Sequence, residues 1–242
     1  MVIESIQNEK VKLWKKLRTS KYITIHEKFI VEGFHLVEEA YKSGRLLEVI
    51  ALDGSDVTID APITYVSSKV MKEISLLDSV PPIMALVSTK EVKDYGNRIV
   101  ILEDVQDPGN IGTIIRNAVA FGIDTVVLSK NSTSVYNDKV VRASQGMCFH
   151  VNVVKEDIRK LIPHLKDKGI SIYGTALDGS KEMKEVKFSD KFAVIFGNEG
   201  LGMSEEIKDL CDELVRINMK KECESLNVGC SCAIILYNLM EC

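Results

Sequence analysis

Six short, β-branched apolar runs alternating with stretches of helical spacing set the tightest limit on how this chain folds. The runs occupy residues 99–102, 125–128, 151–154, 170–173, 192–196 and 214–217. Helical spacing falls around 110–121, 137–145, 156–168, 204–210 and 226–240. Strands alternating with helices predict an α/β domain with a largely parallel sheet covered on both faces. In such sheets ligands bind beyond the carboxyl ends of the strands, so the loops directly after the runs are the first place to look for chemistry.

Upstream lies a smaller α/β pattern. Residues 29–31, 47–52, 63–66 and 83–87 read as strands, and 34–41 and 69–77 as helices, while Val11, Trp14 and Leu17 mark one face of a short basic helix. A polar stretch from Ser88 to Arg98 reads as a linker, which divides the chain into domains 1–90 and 99–242 joined by 91–98. The chain of 242 residues, 45% hydrophobic and 27% charged, is globular in composition, which excludes disordered and fibrous classes. No apolar run approaches the roughly 18 residues of a membrane span. The opening segment lacks the basic and apolar regions of a secretory signal, so a cytoplasmic protein is expected.

A net charge of −4 argues against strong non-specific nucleic-acid binding. Residues 1–28 nevertheless carry seven basic side chains (Lys10, Lys12, Lys15, Lys16, Arg18, Lys21, Lys28) against three acids (Glu4, Glu9, Glu27). Lys12, Lys15, Lys16 and Arg18 are therefore candidates for holding a phosphate backbone; a solvated helix face explains the same charges. The six cysteines (Cys148, Cys211, Cys223, Cys230, Cys232, Cys242) form no CxxC pair, and free, mostly buried thiols are expected in place of a metal site.

Three loops after the later runs carry unusual residues. In Asp107-Pro-Gly-Asn-Ile-Gly-Thr-Ile-Ile-Arg116, Pro108-Gly109 forms a turn and Asn110 can cap the following helix. Ile111, Ile114, Ile115, Ala118 and Val119 form its buried stripe; Arg116 falls off that stripe, toward a cleft, a second subunit or solvent. Gly197-Asn-Glu-Gly-Leu-Gly-Met-Ser204 allows close backbone approach to a ligand, yet fits neither the dinucleotide nor the P-loop spacing. Its Glu199 would repel a phosphate, and an ordinary turn capped by Ser204 remains the simpler reading. In Glu224-Ser-Leu-Asn-Val228, Ser225 or Asn227 can serve as the N-cap of an apolar C-terminal helix.

Together the three loops resemble the motifs of the SpoU (TrmH) branch of the SPOUT RNA methyltransferases. The first loop with Ala118 and Phe121-Gly122 is similar to the family's first motif, and Gly197 to Ser204 to its second. Ile217, Met219 and Glu224-Ser-Leu-Asn227 resemble its third, while Tyr136-Asn137, Lys139 to Ser144 and Gly146 are also family-like. The likeness spans about 98–242 and extends more weakly over 1–90, where Phe29-Ile-Val-Glu-Gly33 resembles a small ribosomal-protein-like RNA-binding module. One departure stands in the third motif: Ile217-Asn218-Met219 followed by Lys220-Lys221 replaces the usual Ile-Pro-Met and glycine, which leaves Lys221 available for RNA.

The resemblance implies a trefoil-knotted SPOUT domain, a homodimer and transfer of methyl from S-adenosylmethionine to a ribose 2′-hydroxyl. Its substrate would be guanosine in 23S ribosomal RNA, with transfer RNA, or an inactive RNA-binding protein of the same fold, as alternatives. It further implies a cofactor site at Thr175, Ala176, Gly197, Ile217, Met219 and Leu226, and catalytic roles for Asn110, Arg116, Glu199, Ser225 and Asn227, with Arg116 coming from the partner. No metal or membrane partner is implied. A guanidinium stays protonated in proteins, so Arg116 is expected to bind phosphate bidentately and stabilise a developing alkoxide, not to act as a base. A conventional Rossmann enzyme would need an early glycine-rich strand–turn–helix, which is absent.

Overall fold

The computed structural model describes residues 2–89, 94–220 and 222–240, and it divides into two compact units. The first comprises Met1–Glu91 with Tyr136–Phe149, and the second Val92–Val135 with His150–Cys242.

In the first unit the elements run β1 (Val2–Ile3), α1 (Glu9–Lys16), α2 (Ser20–His26), β2 (Lys28–Glu32), α3 (Phe34–Lys42), β3 (Leu46–Leu52), β4 (Ile63–Val66), α4 (Ser68–Ile74) and β5 (Ile83–Ser88). The strands form one mixed sheet in the order β1-β4-β3-β5-β2, with β5 antiparallel to both neighbours. Val11, Trp14 and Leu17 are buried against Val70, Met71 and Ile74, so the apolar face of the basic helix packs into the core as its spacing predicts. Burial of side chains this size contributes roughly 1.5–3 kcal/mol each. The sequence gives no strong signal for α2, whose only buried residue is Ile23.

Residues 136–149, assigned by pattern to the second domain, group with this unit and hold α6 (Asp138–Ala143). The physical reason is aromatic. Phe29 meets the rings of Tyr136 and Phe149 at centroid distances of 4.9 and 6.1 Å, and the Arg45 guanidinium lies 5.4 Å over Phe149.

The second unit contains β6 (Arg98–Leu102), α5 (Pro108–Ala120), β7 (Thr125–Ser129), β8 (Asn152–Glu156), α7 (Ile158–Asp167), β9 (Ser171–Thr175), β10 (Lys181–Glu182), β11 (Phe192–Phe196), α8 (Glu205–Asp209), β12 (Glu213–Arg216) and α9 (Val228–Met240). All strand pairs are parallel, in the order β10-β12-β9-β11-β6-β7-β8. This is the parallel α/β architecture that the alternation predicts. Every residue of β7 and β11 is buried, as expected of strands covered on both faces. From β6 the chain moves outward through β7 to β8, then returns on the other side through β9 to β11. The crevice between β6 and β11 is therefore the point where strand order reverses, and the loops after them form its mouth.

Candidate functional site

The three loops converge at that crevice and line a cavity of about 700 Å³, within the usual range for small-molecule sites. Among the candidate residues, Asn110, Glu199, Ser225 and Asn227 line it, together with Thr175, Ala176, Gly197, Ile217, Met219 and Leu226. The walls carry three carboxylates (Asp178, Glu199, Glu224) against two cations (Lys208, Arg216), a balance that disfavours a polyphosphate.

The first loop differs from its sequence reading in one respect. Asp107 caps α5, its Oδ1 accepting the Asn110 N–H at 2.8 Å, and Pro108 follows at the start of the helix, where a missing N–H costs nothing. Asn110 is therefore not the cap, and its side chain is free for other work. Its Nδ2 donates to Glu199 Oε1 at 3.0 Å, and its Oδ1 accepts from Asn227 Nδ2 at 2.8 Å. Asn227 Oδ1 in turn accepts the N–H groups of Gly229 at 2.9 Å and Cys230 at 3.3 Å, which caps α9. One hydrogen-bonded chain thus runs from the carboxylate of the second loop, through the first, to the N-terminus of α9. Its ends are an obligate acceptor and obligate donors, so the orientation of both amides is fixed.

Gly197 cannot be replaced without moving the second loop: a Cβ there would sit 2.2 Å from the Gly202 carbonyl carbon. Asn198 Oδ1 accepts from the backbone of Gly200 at 2.9 Å and Leu201 at 3.1 Å, while its Nδ2 donates to the Asp104 carbonyl at 2.8 Å. The far end of the loop is held by Glu103, which accepts the Ser204 N–H at 3.0 Å and the Ser204 hydroxyl at 2.5 Å. Asp104 has a left-handed backbone, φ 54°, and its carboxylate accepts from Ser129 Oγ at 2.6 Å and Asn131 Nδ2 at 3.0 Å. Glu103, Asp104 and Asn198 are site-shaping residues that the sequence reading did not single out.

Gly229 lets α9 approach α5 closely. A Cβ at Gly229 would lie 2.9 Å from Thr113 Cγ2, and Asn117 Nδ2 donates to the Gly229 carbonyl at 2.9 Å. Arg116, on the same α5, stands apart from the other candidates. It is exposed, does not line the cavity and forms no hydrogen bond or ion pair among the described residues.

The basic candidates of the first unit fare differently. Arg18 is a correction: its side chain is only 11% exposed, pairs with Glu32 at 2.7 Å and donates to the Ile74 carbonyl at 2.6 Å. Burial pulls this guanidinium below its ordinary pKa, opposed by the Glu32 charge, so Arg18 is a core ion pair unavailable to a phosphate backbone. Lys12 is paired with Glu9 at 2.8 Å and Lys15 with Glu73. Lys16 forms no ion pair among the described residues and lies 5.5 Å over the Tyr22 ring. Lys221 and Cys242 fall outside the described residues.

Among the described residues all five cysteines are free, but Cys223 and Cys230 are exposed, contrary to the expectation of mostly buried thiols. Burial pushes Cys148 up to about 11 and Cys232 up to about 12. No described cluster of three or more His, Cys, Asp or Glu residues could hold a metal ion, and no described helix is long and apolar enough to cross a membrane.

Comparison with known proteins assigns both units. Residues 8–85 match the MRM3-like substrate binding domain, and residues 97–237 match the SpoU rRNA Methylase family. The chain is 37% identical, over 98% of both chains, to the 23S rRNA (guanosine(2553)-2′-O)-methyltransferase RlmP of Bacillus subtilis (strain 168). A putative TrmH-family RNA methyltransferase from Porphyromonas gingivalis superposes with a TM-score of 0.85 at 28% identity, covering 96% of this chain and 98% of that one. AviRb, a SpoU methyltransferase from Streptomyces viridochromogenes solved with AdoMet, shares the fold with a TM-score of 0.86 at 23% identity, covering 97% and 98%. The matched motifs, the sheet that carries them and the full-length relative agree: this chain belongs to the SpoU rRNA methylase family.

Proposed function

We propose that this protein transfers a methyl group from S-adenosylmethionine to a ribose 2′-hydroxyl of 23S ribosomal RNA, most specifically of a guanosine. One observation carries the site assignment: the three family motifs meet as a single hydrogen-bonded chain, Glu199–Asn110–Asn227, on the rim of one cavity at the strand-order reversal. The substrate class rests on the 37% identical relative, aligned over nearly its whole length.

The residues present fit S-adenosylmethionine. The cavity has the volume of a small-molecule site, and Leu177, Leu201 and Leu226 remain exposed around it, ready to cover an adenine ring. The slight excess of carboxylates suits a ligand carrying a sulfonium. Thr175, Ala176, Gly197, Ile217, Met219 and Leu226 would hold it. When bound, the cofactor supplies an electrophilic methyl group.

The protein's own residues must align the ribose hydroxyl and manage its proton. Holding two reactants in line lowers a barrier by about 7–11 kcal/mol. Ser225, on the cavity wall, positions the RNA; Glu199, Asn110 and Asn227 keep the loops in register. Arg116 binds the phosphate beside the target ribose bidentately and stabilises the developing alkoxide, while the proton leaves to that phosphate or to water. Since Arg116 does not line the cavity of its own chain, it serves the site of a second copy. The surface beside it supports such pairing: α9 holds no charged residue, and Ile234, Tyr237 and Met240 on it are 38–55% exposed. This reading includes a homodimer, a trefoil knot threaded through the C-terminal loops, and a cytoplasmic site of action on ribosomal RNA.

The test is transfer of labelled methyl from S-adenosylmethionine to unmodified 23S rRNA transcript, with nucleosides mapped afterward and Arg116→Ala as control. Label in 2′-O-methylguanosine that vanishes in the control is expected. Label in a base, or in no RNA at all, overturns the proposal.

A further inference from the structure

With Lys10, Lys12, Lys15 and Arg18 already in ion pairs, Lys16 and Lys21, on either side of the start of α2, form none among the described residues. Lys16 Nζ sits 5.5 Å and Lys21 Nζ 5.9 Å from the centre of the same Tyr22 ring, and neither has a carboxylate within ion-pair distance among the described residues. Tyr22 stacks on His26, one helical turn on, with centroids 6.3 Å apart and ring planes 13° from parallel. Ile25, on the same turn, is 60% exposed, although the helix has an apolar core to pack against. Two ammonium groups held on one aromatic ring, a stacked imidazole and an open apolar side chain thus share one small face.

We propose that this face is a single-stranded RNA contact: Lys16 and Lys21 grip consecutive phosphates while the His26 ring and Ile25 receive an unstacked base. The proposal rests on the RNA-methyltransferase reading and names where the first unit holds that substrate. Three features favour RNA over a protein surface. Cation–π contact leaves both ammonium charges intact for an anion. Aromatic side chains interleaved with cations are how single strands are held without sequence readout, since every base offers a π-face. Residues 16–28 are also net basic in sequence, Glu27 being the one acid among Lys16, Arg18, Lys21 and Lys28, and the Glu9 carboxylate on α1 acts on Lys16 without pairing with it.

The experiment measures binding of unmodified 23S rRNA transcript to full-length protein between 0.05 and 0.3 M KCl, on scales set by about 0.7 counterions released per phosphate contact. In the variant Lys16→Gln/Lys21→Gln the slope of log affinity against log salt should become shallower by about 1.4, and affinity at 0.1 M salt should fall about 25-fold. His26→Ala should weaken binding at least about five-fold without changing that slope. Lys16→Arg/Lys21→Arg should restore both quantities, and S-adenosylmethionine affinity should be unchanged throughout. In steady state the loss should appear in KM for RNA and not in kcat. Wild-type affinity and slope in the glutamine variant would overturn the proposal, as would a loss confined to binding of anionic phosphatidylglycerol vesicles. A wild-type protein that methylates no RNA would instead overturn the functional reading on which the proposal stands.

Discussion

Replacing Asn110 by aspartate tests the hydrogen-bonded chain at its centre with almost no change of shape. In the native protein its Nδ2 donates to Glu199 Oε1 at 3.0 Å. The substitution removes that charge-assisted bond, about 1.5–3 kcal/mol, and sets two carboxylate oxygens face to face. Unit charges 3 Å apart repel by about 1.4 kcal/mol in bulk water and about 5.5 kcal/mol at an effective dielectric of 20. Glu199 is exposed, so the lower figure governs. The combined cost is about 3–4 kcal/mol. Turning the side chain over gives no relief, because the two oxygens of the carboxylate are equivalent: one still accepts from Asn227 while the other still faces Glu199. Protonation does give relief. The introduced carboxyl has its folded-state pKa raised by the neighbouring charge, so the variant matches wild type below the unfolded value near 4 and loses ground as pH rises through the folded value. Urea unfolding from pH 4 to 8, read beside S-adenosylmethionine titration, measures this. A deficit that is absent at pH 8, or present but flat with pH, would refute the chain as drawn. The companion Asn227→Asp should cost roughly 0.3–1 kcal/mol less, because its carboxylate sits at a helix N-terminus.

Other outcomes follow from the same geometry. Arg18→Ala should destabilise the protein by about 3–5 kcal/mol, because it strands the buried Glu32 carboxylate, and differential scanning calorimetry of the first unit's transition would show it. If Arg18 were an RNA contact on the surface, stability would hardly change. Iodoacetamide at pH 8 should alkylate Cys223 and Cys230 and spare Cys148 and Cys232, whose thiols burial raises to about 11 and about 12; mass spectrometry of quenched samples gives the order. Arg116→Lys should lower kcat about 100-fold or more with S-adenosylmethionine affinity intact, since a lysine cannot form the two parallel bonds. Near-full activity in that variant would refute the bidentate role.

The parallel sheet was legible because buried strands announce themselves. The runs at 125–128 and 192–196 lie within strands buried at every position, so hydrophobicity alone marked them. Roles of polar residues were less legible because one residue type serves several ends. Asn110 stands just after a Pro-Gly turn, where an amide often caps a helix, but Asp107 starts the helix three residues earlier by accepting the N–H of Asn110 itself, which leaves the Asn110 side chain for Glu199. Arg18 sits among surface lysines on the sequence, yet it is the one whose partner, Glu32, is carried into the core by β2. Local spacing holds no record of such a partner.

Glu103 and Asp104 show the same limit from the other direction. They follow β6 immediately, and two adjacent acids at a strand end look like ordinary surface charge. In the fold they anchor opposite ends of the glycine loop nearly 100 residues later: Glu103 through both donors of Ser204, Asp104 through its carbonyl to Asn198. The parallel pairing of β6 with β11, Leu102 opposite Phe196, brings the two segments into register. Strand register therefore decides which residues after β6 can reach the loop after β11. A motif search finds the glycines because their spacing is local, and it misses their supports because those are set by a pairing that exists only after folding. The loop's rigidity, and with it the shape of the cavity, is a property of two strands and not of the motif alone.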